Sequence, residues 1–258
     1  MTFDRRGHRR LGALLEGKVV DLPDAVGHPA FPGTMEALVA SNGGTVLDAA
    51  RAALERDDAL ACAADDARLL APLLPRSFRS RDAREAARRV VGPDETIAWP
   101  QGAGWLDYKP KMAAILRRPV DKVDRAAVRS AIFGYTLVSD WAARDANGDP
   151  TPYPEAVPLS LGPCIVTPDE IDPQTAFITV RVDGEEWVKG NLNGIAADLV
   201  EAVTRTSRVE LLEPGEVFAS SPFDIPGLEQ RTWPGATIEL EAEGIGVLRN
   251  RIARAQPR

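Results

Sequence analysis

Histidine and cysteine are scarce in this chain of 258 residues, which holds two of each. His8 and His28 both lie near the N-terminus, so the long C-terminal part must move protons without imidazole and cannot hold a histidine-ligated zinc. Cys62 and Cys164 form no C-x-x-C pair and read as buried thiols. No run reaches the roughly 18 to 20 apolar residues that span a bilayer, and the Arg-rich first ten residues lead into no signal-type apolar core. The expected location is therefore the cytoplasm, with no membrane partner. A cationic excess is also missing. Lys and Arg total 31 against 38 Asp and Glu, a net charge of -7, so nucleic acid is not an expected partner.

The composition present is 44% hydrophobic and 27% charged, which supplies a buried core and excludes disorder and disulfide scaffolds. Residues 10–22 predict two short strands turning at Glu16-Gly17. Val46, Leu47, Ala50, Ala53 and Leu54 predict an amphipathic helix. The proline-punctuated stretch LLAPLLP, Leu69 to Pro75, reads as a connector between a small domain over 1–72 and a second domain over 73–258. Beyond it, residues 80–90 read as a helix rich in Ala and Arg. Asp124 predicts the N-cap of another helix, and Ile195, Leu199, Val200 and Val203 mark a third. Strands are expected after Trp105, over 134–139, on both sides of Asp183-Gly184, and in the closing alternation from Ile238. The fold class read from this order is α+β, mostly β, with a small α+β N-terminal domain.

The blocks RLGALLEGKVVDL, LLAPLLP, GYTLVSDWAARD (134–145), LSLGPCIVTPDEID (159–172), VDGEEW, LEPGEVF (212–218) and EGIGVLRNRI (243–252), in this order, closely resemble the fumarylacetoacetate hydrolase superfamily. The resemblance implies a mixed β-roll C-terminal domain and a homodimer. It also implies cleavage, hydration, decarboxylation or tautomerisation of β-dicarbonyl and enol acids on a carboxylate-held divalent ion. Such an ion takes oxygen ligands and stabilises an enolate.

The chain departs from that pattern where the resemblance places the metal. The family's Glu-x-Glu strand reads Leu106-Asp107-Tyr108-Lys109-Pro110-Lys111, with lysine at both glutamate positions. The helix carrying aspartate and the catalytic histidine has Ser80 and Ala87 instead. Asp140 alone matches a metal ligand, and Arg144 matches the arginine of the same block. One carboxylate is too little charge to dehydrate a divalent ion, so the expectation is no cofactor and no family-type metal.

Residues i and i+2 of a strand face one side, with Cα atoms about 6.5 to 7 Å apart, so Lys109 and Lys111 would project together. Three readings remain open: a salt-bridged or solvated plug, a cationic substrate site, or a covalent lysine. Pro110 between them favours an edge strand. The candidate catalytic set is Lys109, Lys111 and Asp140, with Arg144, Ser80, Tyr108 and Ser221 as substrate-binding residues. Asp82 and Glu85 are a weaker carboxylate pair. Trp105, Trp141 and Tyr153 serve as core or pocket wall, and Asn191 and Asn193 as helix caps. The expected function is metal-independent enolate chemistry on a small anionic β-dicarbonyl or keto/enol acid. The alternative is a non-catalytic binding protein, or a structural partner of an active paralogue. An ordinary Mg-dependent hydrolase of the family ranks last.

Overall fold

The computed structural model describes residues 1–41, 44–56, 61–63, 67–80, 83–84, 89–151, 157–173, 175–192, 194–220 and 231–254. The chain opens with β1 (Thr2–Arg5), β2 (His8–Leu15) and β3 (Lys18–Asp21). Three helices follow, α1 (Leu22–Val26), α2 (Met35–Ala40) and α3 (Gly44–Leu54), and then β4 (Ala61–Ala63) and β5 (Arg68–Leu70). These strands form one sheet in the order β4-β3-β2-β1-β5. Asp21 caps α1 by accepting from the Asp24 amide, and Arg10 holds the same carboxylate at 2.7 Å. Burial would raise the pKa of Asp21; the hydrogen bonds from Arg10, the Asp24 amide and Arg5 outweigh it and hold the carboxyl below its usual range.

Next come β6 (Ser77–Ser80), β7 (Ala83–Arg84), β8 (Val90–Val91), β9 (Thr96–Ile97), β10 (Trp105–Leu116), α4 (Arg125–Ala131), β11 (Ile132–Arg144) and β12 (Leu159–Val166). After these lie β13 (Phe177–Val182), β14 (Glu185–Asn191), α5 (Ile195–Ser207), β15 (Glu216–Ser220), β16 (Arg231–Thr232), β17 (Thr237–Ala242) and β18 (Gly246–Ile252). The second sheet runs β7-β6-β15-β10-β11-β12-β8, with β16 on β10; the third runs β14-β13-β17-β18-β9.

The central sheet is covered on both sides, which explains the apolar run Met112–Leu116 of β10 and the buried stretch of β11 opposite it. On one face Ala113, Ile115, Val138, Leu159 and Val217 pack with Leu11, Leu22, Met35 and Leu38 of the first unit. On the other face Leu106, Tyr108, Met112, Leu137 and Trp141 pack with Ile178, Leu199, Val203 and Leu240. The mostly β architecture agrees with the sequence reading, and so do the turn at Glu16-Gly17, the Asp124 cap and the helices α3 and α5.

Three expectations fail, the first being the helix cap expected of Asn191, which ends β14 while Gly194 takes the N-cap position of α5. The helix expected over 80–90 is absent from the described residues there: Ser80 ends β6, Ala83–Arg84 forms β7, and Val90 begins β8. Tertiary pairing overrides the local preference, because β6 lies parallel to β15 with Ser77 opposite Glu216 and Ser80 opposite Ala219. The edge position inferred from Pro110 also fails, since β10 is central. Proline is tolerated there because β15 pairs with Met112–Ile115 and β16 with Leu106–Asp107, and Pro110 falls in the interval between them.

Candidate functional site

Strands β10 and β11 pair along their length, with Lys109 opposite Asp140 and Lys111 opposite Val138. Directly opposed residues share a face, so Asp107, Lys109, Lys111 and Asp140 all project toward the side covered by the N-terminal unit. Ser80 reaches this face from β6 through its register with Ala219. Lys111 is buried, and its Nζ donates to Asp140 Oδ2 at 2.6 Å and to Ser80 Oγ at 2.6 Å. The same ammonium stands 5.8 Å from the centre of the Phe78 ring. A hydroxyl, an ammonium and a carboxylate are thus arranged in series, with only Ser80 partly open to solvent.

Lys109 is set differently although it is two residues away. Its side chain is 49% exposed, with Nζ 4.0 Å from Asp107 Oδ2. Arg144 donates to the same carboxylate oxygen at 3.2 Å. Arg231, opposite Asp107 on β16, lays its guanidinium 4.2 Å from the centre of the Trp105 ring. Among the described residues, three cations, Lys109, Arg144 and Arg231, stand about the single carboxylate of Asp107, and the half-exposed Lys109 faces the solvent from which an anion would arrive.

The structure therefore brings together Lys111, Asp140 and Ser80, and separately Lys109 and Arg144. Tyr108 is placed on the opposite face, buried, with its ring 4.7 Å from Trp141 and its hydroxyl 3.3 Å from Ser139 Oγ. Burial pushes that phenol well above the usual tyrosine range, outweighing the Ser139 hydrogen bond, which acts in the opposite direction. Trp141 donates to Ser160 from the same core. Ser221, Asp82, Glu85, Tyr153 and Asn193 lie outside the described residues.

Two participants escaped the sequence reading. Asp107 could have been found by carrying the alternation back one step from Lys109. Arg231 carries no local signal, since it arrives on a two-residue strand.

The described donors on this face do not fit the divalent ion that the fold implies. An ammonium sits 2.6 Å from the Asp140 carboxylate and lysine again stands opposite it in the register, where an ion would require further oxygens. Among the described residues no group of three His, Cys, Asp or Glu side chains could hold a metal.

Residues 84–253 match the family model of the fumarylacetoacetate hydrolase C-terminal domain. An uncharacterized protein of Archaeoglobus fulgidus is 31% identical over 166 residues, 62% of this chain and 64% of the relative, so the chain matches less than two thirds of that relative's length. The fold is similar to that of a fumarylacetoacetate hydrolase from Exiguobacterium antarcticum, at 23% identity and TM-score 0.80 over 98% of both chains. It is likewise similar to maleylpyruvate hydrolase from Sphingobium sp. SYK-6, solved with manganese and pyruvate, at 20% identity and TM-score 0.80 over 99% of this chain and 100% of that one.

Proposed function

The chain belongs to the fumarylacetoacetate hydrolase family, and from that premise we propose that it is a metal-independent enzyme acting on a small anionic β-dicarbonyl or keto/enol acid. The observation that carries this reading is the Lys111 ammonium seated against Asp140, the charge a divalent ion would otherwise supply. Its positive charge beside a reacting carbonyl stabilises the enolate on which C–C cleavage, tautomerisation, decarboxylation or cyclisation depends. The rim of Lys109, Arg144 and Arg231 draws in and orients the substrate's carboxylate, and Asp140 accepts or returns the proton. The pyruvate complex of maleylpyruvate hydrolase supports a keto acid as the substrate class.

Turnover of a panel of small β-dicarbonyl and 2-keto acids, each assayed with EDTA and with added Mg or Mn, tests the proposal. The expected result is turnover unchanged by either addition. Activity that vanishes in EDTA and returns with metal overturns it. A second reading, a non-catalytic binding protein or structural partner, draws support from the same buried ion pair, which neutralises Asp140. That reading predicts binding of an acid without turnover. The proposed assembly is a homodimer of cytoplasmic location, and a monomeric mass near 27.8 kDa in light scattering would remove it.

A further inference from the structure

We propose that Ser80 is a covalent nucleophile, served by a proton relay through Lys111 to Asp140. The inference rests on the reading of this face as the active site and adds a reaction class to it: hydrolytic C–C cleavage through a serine ester.

A weak nucleophile needs a base within hydrogen-bond reach and a third group that orients the base. Ser80 Oγ, Lys111 Nζ and Asp140 Oδ2 are spaced 2.6 Å and 2.6 Å apart in that order. Two other serines of the same sheet are set differently among the described residues: Ser139 meets the Tyr108 phenol and Ser160 meets the Trp141 indole, both buried. Ser80 stands at the end of β6, partly open to solvent, so a carbonyl can approach an oxygen that accepts from Lys111 on its inner side.

The step balances without any co-reactant except water. Lys111 Nζ first gives a proton to Asp140 Oδ2; the amine this leaves turns its lone pair to Ser80 and takes the hydroxyl proton as Oγ bonds to a carbonyl carbon of the β-dicarbonyl acid, whose C=O π electrons move onto oxygen. Lys111 ends the step still charged, beside the oxyanion it must stabilise. Collapse of the tetrahedral adduct breaks the bond to the adjacent carbon, whose electron pair leaves as an enolate. The proton held by Asp140 returns through Lys111 to that carbon. Water then attacks the Ser80 ester by the same route, releasing a carboxylic acid and restoring the hydroxyl.

Phenylmethanesulfonyl fluoride tests this on the full chain without knowledge of the substrate. The expected result is one sulfonyl group per chain, mapped to Ser80 by peptide mass analysis and absent from Ser80→Ala. Lys111→Arg keeps the charge opposite Asp140 but cannot give up its proton, so labelling should slow about a hundredfold or more. No adduct on wild-type Ser80, adducts spread over other serines, or an undiminished rate in Lys111→Arg each overturn the proposal; the wild-type map decides even if a variant fails to fold. Ser80→Ala that still turns over a keto acid overturns the nucleophile and leaves the proposed function intact. Labelled Ser80 in a protein that turns over no acid of the panel upholds the nucleophile and removes the substrate class.

Discussion

Lys109 and Lys111 share a strand, a face and a charge, yet one is half in water and the other is enclosed by Phe78, Ser80 and Asp140. Desolvation separates them. A buried ion pair is set by what each partner would lose if the other vanished, whereas an exposed one is screened and worth little. The inner pair is therefore a fixed part of the fold, and the rim is a surface whose charges can be exchanged.

The sharpest way to break this contrast is to remove each ammonium in turn. Lys111→Met takes the buried ammonium away from the Asp140 carboxylate and should cost about 3 to 5 kcal/mol in urea unfolding. Adding Asp140→Asn should recover most of that loss, giving a coupling term in a double-mutant cycle. If Lys111→Met were as stable as wild type, the inner pair would not be structural.

A smaller effect belongs to the phenol behind the pair. The folded-state pKa of Tyr108 is raised above its unfolded value near roughly 10, so its contribution is present in full below that pH and is lost as pH rises toward the folded pKa. Tyr108→Phe should flatten the alkaline limb of a stability-against-pH curve, at the expense of about 1 kcal/mol at neutral pH from the Ser139 hydrogen bond. An alkaline limb unchanged in the variant would place the phenol in water instead.

The rim should respond least in stability and most in affinity. Lys109→Met and Arg231→Met are each expected within about 1 kcal/mol of wild type in unfolding. Both should weaken binding of a keto acid, and the residual affinity should depend less steeply on salt than that of wild type. Equal salt dependence in variant and wild type would detach the rim from ligand capture.

The alternation of β10 placed both lysines on one face in advance, because period two is a local property of a strand. Their different depths were not legible. Lys111 is enclosed by β6, which pairs with a strand more than a hundred residues later, and the local Ala and Arg content there pointed to a helix. Hairpins closed by Glu16-Gly17 and Asp183-Gly184 were readable for the opposite reason, since each turn carries its own geometry in two residues with positive φ. Within the site, the resemblance to a known family pointed to Asp140 and Arg144, whereas Asp107 and Arg231 joined it through register alone.

The guanidinium of Arg231 lying over the Trp105 indole has an optical consequence. A cation held against an indole face alters its emission, and an incoming carboxylate that draws Arg231 off the ring would alter it again. Trp141 is enclosed in the core, Trp99 packs against that core, and Trp187 of β14 stands against Trp233, which follows β16. Trp105 is thus a built-in fluorophore for occupancy of the rim, giving a titration signal before any product has been identified.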